Sequence, residues 1–333
     1  MLKLLALVMT GAALWSGYWF VGARTNEQAM NTWFEERRDE GWQVEYSDLD
    51  LRGFPNRFDT TISDLTLTDP DTGLSWSTPF LQVLSLSYDP NHLIVVWPND
   101  QTIATPYQKI DLTASKMRAS VVLKPDNTLE LDRANLMMEG VTLNSTEGWA
   151  ATFDTLTAGI RETVDMPLSY DMAVEANKLV PGEALRNLLD QGGTLPDHLD
   201  AMRLDTAISF ARPLDLRTIE EARPDITRIK VKDARGSWGE LAVRASGEVD
   251  VDSTGNPTGE LLVKAQNWRE MLKMAVEAGA VPAEMESTSE MALGLLAGLS
   301  GRSDSIDAPL SFRNGSTYLG IIPIGDAPRL NLP

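Results

Sequence analysis

Residues 4–23 hold no charge; after them apolar positions recur at helical spacing as far as Phe34, then on alternate residues from Trp42 onward. The uncharged run, LLALVMTGAALWSGYWFVGA between Lys3 and Arg24, is twenty residues long. As a helix it would extend roughly 30 Å, the thickness of a bilayer's hydrocarbon layer. Trp15, Tyr18, Trp19 and Phe20 crowd its second half, where amphipathic rings favour the membrane–water boundary. Ala29, Met30, Trp33 and Phe34 continue a helical stripe, which predicts an amphipathic stalk over 25–41 capped by Gly41. The alternative for 1–24 is a secretory signal cut after Val21-Gly22-Ala23. The run exceeds the ~7–15 residues of a signal core, and bulky Trp19 and Phe20 precede the cut, which favours an uncleaved anchor. Either way the body is expected outside the cytoplasm, and on the uncleaved reading the chain is a single-pass membrane protein.

Beyond the stalk, Leu49 and Leu51, Leu65 and Leu67, then Leu84, Leu86 and Tyr88 alternate with polar residues. Ile110 and Leu112, Leu129 and Leu131, Val141 and Leu143, and Tyr170, Met172 and Val174 follow the same rule. Turn clusters at Asp69–Gly73, Asp89-Pro90-Asn91, Pro98-Asn99-Asp100 and Lys124–Asn127 separate them. Short alternating runs between turns predict an antiparallel meander with one buried and one wet face. Residues 181–198 break the pattern with a short helix carrying Leu185, Leu188 and Leu189, closed by Gly192-Gly193. They read as a connector between a first β half over 42–180 and a second over 199–333. In the second half, Leu241, Val243, Val249 and Val251 line one side of a strand whose return follows a turn at 253–257. Two helices occupy about 267–300, one striped by Trp268, Met271, Leu272 and Ala275, the other following Pro282. An Asn314-Gly315 hairpin closes the chain. The predicted fold is mainly β with a few helices: an N-terminal transmembrane helix, then a long curved antiparallel sheet with amphipathic helices packed on it.

Composition narrows the function. A net charge of −19 argues against a nucleic-acid partner, which needs Lys and Arg against phosphates. No cysteine is present, so thiolate chemistry and disulfides are excluded. His92 and His198 are the only histidines, and neither falls in a metal-binding or nucleophile-elbow spacing. Asp250–Gly255 resembles the start of a calcium loop, but Leu261 stands where a bidentate Glu is needed, so a hairpin turn is expected. No catalytic, cofactor-binding or metal-ligating residue is expected, and the chain is read as a non-enzyme.

Gly53-Phe54-Pro55-Asn56-Arg57-Phe58, the segment from Tyr88-Asp89-Pro90-Asn91-His92 through Trp97-Pro98, and Gly255-Asn256-Pro257-Thr258-Gly259 carry a resemblance. With Leu319–Gly325 they make the chain similar to a Gram-negative, mainly alphaproteobacterial, envelope family catalogued as domain of unknown function twenty-one twenty-five. That family carries no assigned catalytic residues, so the resemblance implies a structural role for these motifs. The layout more distantly resembles AsmA-like inner-membrane proteins, which implies a single N-terminal pass through the inner membrane, a body in the periplasm, and a β groove concerned with lipid movement or envelope assembly. The candidate apolar face comprises Leu65, Leu67, Leu84, Leu86, Tyr88, Leu241, Val243, Val249 and Val251. The expected partners are a membrane, then lipid or other envelope proteins. The alternatives are a scaffold with a closed core and, third, a hydrolase built around one of the histidines.

Overall fold

A computed structural model describes residues 1–190, 193, 195–215, 218, 223–299 and 301–330. The side chains of Leu185, Leu188 and Leu189, and Gly192, lie outside the described set. Helix α1 (Leu2–Asp39) is continuous from the apolar run through the stalk, and Gly41, at φ 92°, turns the chain out of it. The sheet then takes more than half of the remaining residues. Its segments are β1 (Gln43–Glu45), β2 (Asp48–Arg52), β3 (Arg57–Thr68), β4 (Ser75–Leu86), β5 (Asp89–Val96) and β6 (Asp100–Ala104). They continue as β7 (Lys109–Thr113), β8 (Lys116–Leu123), β9 (Leu131–Ser145), β10 (Ala150–Glu162), β11 (Ser169–Pro181) and β12 (Leu199–Phe210). The last are β13 (Ile226–Trp238), β14 (Leu241–Val251), β15 (Pro257–Gln266), β16 (Ser305–Arg313), β17 (Ser316–Leu319) and β18 (Ile322–Asp326).

Every pairing is antiparallel. β1 and β2 share one edge of β3, β5 and β6 share one edge of β4, and β7 and β8 share one edge of β9. The eighteen segments therefore occupy fifteen strand positions in chain order. From β9 onward each strand pairs with the next, and β11 bonds directly to β12 across the 181–198 connector. At roughly 4.8 Å per position the sheet extends about 70 Å.

The three split positions lie on one crease. It runs from the gap after Glu45, where the Ser47 N–H donates to Ser63 O at 2.9 Å, through Asp64. It continues through the gap after Val96, through Ser115, whose N–H donates to Glu139 O at 2.8 Å, to Gly140, Asp154 and Lys178. Asp64, Gly140 and Lys178 all adopt positive φ, between 49° and 57°. Each shifts the in–out alternation of its strand, as bulges do. Hence Ile62 and Leu65, three apart, share one cluster with Phe34, and Met138 and Val141 share another.

Asp89-Pro90-Asn91 is strand rather than turn. The reversal is made one step earlier by Ser87-Tyr88, and Asp89 opens β5. Pro90, which has no N–H to give, stands where the β4–β5 register slips between Leu84/Ile94 and Leu86/Asp89.

α1 sits at the first end of the sheet and α3 (Trp268–Glu277) and α4 (Glu286–Leu299) toward the other, with α2 (Glu183–Leu189) between α3 and β10. α1 packs Phe34 (1% exposed) against Val44, Ile62 and Leu65, and Trp19 against Phe58. Arg38 donates to Val44 O at 3.0 Å and Tyr46 to Asn31 Oδ1 at 3.1 Å, fixing the stalk beside β1. α2 contacts β10 and α3; α3 contacts β14, and α4 contacts β16. Trp268, Leu272, Leu296 and Ala297 close the far end over Ile306 and Ala308.

Candidate functional site: an apolar sheet face

The register defines the site. Leu51, Thr60, Val83, Val95, Ala119, Leu136, Ala158, Val174, Leu204, Ala234, Ala245, Val263 and Ala308 stand opposite one another in turn. Opposed residues in an antiparallel pair share a face. This row thus crosses from β2 to β16 on one side of the sheet with Thr60 its only polar member. One residue over, the row Gln82, Val96, Arg118, Met137, Thr157, Glu175, Arg203, Arg235, Arg244, Lys264 and Asp307 marks the other side. That side is laced with ion pairs: Lys116–Glu139 at 2.9 Å, Arg228–Asp250 at 2.7 Å, Lys264–Asp307 at 2.8 Å. Burial penalises the Asp171 carboxylate, yet Lys232 beside it holds its pKa below the usual range. One face is oily and the other ionic.

The apolar face is covered at its ends and bare in its middle. Leu241, Val249 and Val251 are buried, whereas Met202 and Leu204 (43% exposed each) stand open on β12, on which no described helix packs, and Val243 (39%) stays open on β14 although α3 contacts that strand. Leu65 and Leu67 belong to the α1-covered end. Leu84 and Leu86 are on the opposite face: Leu84 opposes Asp59 and Leu86 opposes Arg57, while Leu81 and Val83 are the inward pair of β4. Phe80, Leu81, Val83, Leu84 and Leu86 supply two interleaved apolar sets, so alternation alone picks either. Tyr88, 66% exposed, lies in the β4–β5 turn.

The family-like motifs fall in three places. Gly53, Phe54, Pro55 and Arg57 form the loop into β3, against α1; Asp89, Pro90 and His92 lie in β5; Trp97 and Pro98 mark the crease. A carbon on Gly53 (φ 110°) would lie 2.6 Å from the Arg57 carbonyl oxygen, so the loop requires glycine.

His92 and Ser120 meet on the ionic face, with Nε2 and Oγ 3.0 Å apart. Asp89 Oδ2 lies 3.9 Å from His92 Nδ1, beyond hydrogen-bond reach. Ser120 sits mid-strand between Ile94 and Asn135, where ladder pairing engages the backbone rather than turning two N–H groups onto one oxyanion. His198 is partly exposed, with Asp200 3.7 Å away. Asp252 folds back on its own turn, accepting from Thr254 N at 2.9 Å and Asn256 N at 3.0 Å.

Comparison with known proteins gives one match. The family described as "Uncharacterized protein conserved in bacteria (DUF2125)" covers residues 19–328, from mid-α1 to the last strand. No curated protein and no solved structure matches the chain.

Proposed function

The chain belongs to the DUF2125 family of bacterial proteins, and from that premise we propose that it is an envelope protein, anchored by α1 and facing the periplasm, that holds lipid acyl chains on its open apolar sheet face. One observation carries the reading: a row that is apolar at every position but Thr60 crosses the sheet, and around Leu204 on β12 no described helix packs on it. Exposed apolar surface of this extent costs about 25 cal/mol per Å² in water, which acyl chains would recover. The ionic reverse face keeps the sheet from stacking on a second copy of itself. Its role would be that implied by the resemblance to AsmA-like proteins, passive carriage rather than turnover.

Native mass spectrometry of the full-length protein, exchanged from detergent into lipid-containing nanodiscs, tests this. Retained, exchangeable phospholipid is expected, and Leu204→Asp with Val243→Asp abolishes it. Absence of bound lipid from the unaltered protein overturns the reading. The Ser120–His92 bond is the one observation on the side of a hydrolase. Ser120→Ala is expected to leave lipid retention unchanged; loss of an ester-cleaving activity in that variant would favour the hydrolase instead.

A further inference from the structure

We infer that the rim of the sheet next to α1 is a membrane collar: the 53–57 and 87–88 loops are seated in the interfacial layer of the bilayer that α1 crosses, with Phe54 and Tyr88 in contact with lipid. The inference rests on the reading of α1 as a membrane span.

Depth is the first argument. Trp15, Tyr18 and Trp19 lie inside the charge-free run that ends at Arg24. At 1.5 Å per residue they stand about 7–14 Å along the helix from Arg24, on its membrane side. All three are bonded to the body: the Trp15 indole donates to Pro55 O at 2.9 Å, Tyr18 to Ser87 O at 2.6 Å, and Trp19 to Arg57 O at 2.7 Å. The loops that own those carbonyls share that depth.

Satisfaction of the loop backbone is the second. Where water is scarce, an unpaired carbonyl is costly. Besides the three carbonyls served by α1, Gly53 O accepts from the Asn56 and Arg57 N–H groups, and Asn56 O accepts from Ser87 N–H at 2.9 Å. Aromatic donors on the helix thus do for this rim what solvent does for an ordinary loop.

Exposure is the third. Phe54 (52% exposed) stacks on Phe20 (57%) with ring centroids 5.7 Å apart, and Tyr88 and Leu86 stand open on either side of Ser87, whose N–H bonds the 53–57 loop at Asn56 O. Rings in this setting match the aromatic belt of membrane proteins. The collar fixes the sheet's first strands upright on the membrane, because α1 runs alongside β3, Trp19 against Phe58 and Phe34 against Leu65.

The chain has no cysteine, so single substitutions Phe54→Cys, Tyr88→Cys, Val8→Cys and Tyr107→Cys can each carry a nitrobenzoxadiazole label. Tyr107 is an exposed aromatic in the β6–β7 turn, at the opposite end of β4. In phosphatidylethanolamine–phosphatidylglycerol vesicles containing doxyl-labelled phosphatidylcholine, labels at positions 8, 54 and 88 are expected to be quenched several-fold more than the label at 107. Quenching at 8 with 54 and 88 no different from 107 overturns the collar and leaves the anchor standing. No quenching at 8 removes the anchor and the collar with it. Tyr88 is exposed enough to be replaced without loss of fold, so the test does not hang on Phe54.

Discussion

Gly247 of β14, at φ 151°, adopts a backbone conformation that side chains rarely permit, and a carbon there would lie 2.3 Å from the Glu260 carbonyl oxygen across the pair. Gly247→Ala is therefore expected to cost about 1–3 kcal/mol, read as a lower urea midpoint at unchanged m-value. Asp252 gives a pH-dependent case. The Thr254 hydroxyl first, then the Asn256 and Thr254 N–H groups, hold its carboxyl below the ordinary value of 3.8. A lowered folded-state pKa means that its contribution is full above 3.8 and lost as pH falls through the depressed value. Asp252→Ala should thus lower the urea midpoint clearly at neutral pH and hardly at all in strong acid; equal losses at both would contradict this. The turn at 253–257 was legible because its residues announce themselves. The crease was not, since Asp64 and Lys178 look like ordinary strand positions, and only their positive φ shows the alternation slipping.

Among the elements, α1 was legible throughout, since its apolar run, stripe and terminal glycine agree with one another. Its docking makes a contrast within a single helix. Phe34 is 1% exposed against the sheet, and Phe34→Ala is expected to cost about 3–5 kcal/mol and open the stalk to proteolysis. Leu7 is 70% exposed, and Leu7→Ala should leave the unfolding of the sheet unaltered. The β strands were legible in position but not always in phase. In β4 both faces carry apolar residues, so the choice of Leu84 and Leu86 over Leu81 and Val83 needed the partner strand: Ile62 opposes Leu81, and Asp59 opposes Leu84. Equally, Asp-Pro-Asn reads as a turn wherever it occurs, and only the pairing of His92 with Val122 reveals β5.

For the whole molecule, one-sidedness was the legible property and openness was not. Alternation demands an oily face but is silent on whether helices cover it. Here no described helix packs on β12, which displays Met202 and Leu204, and Val243 stays open on β14 although α3 contacts that strand. The most direct measurement places the photoreactive residue benzoylphenylalanine singly at Leu204, Val243, Arg203 or Arg244 in the full-length protein, then irradiates it in its native membrane. Neighbouring residues on the same strands point to opposite faces, so local fold and distance from the bilayer are matched within each pair. Phospholipid adducts are expected from positions 204 and 243 and not from 203 and 244. Adducts of equal yield on both faces, or none on the apolar one, would contradict a sheet that carries lipid on its open side.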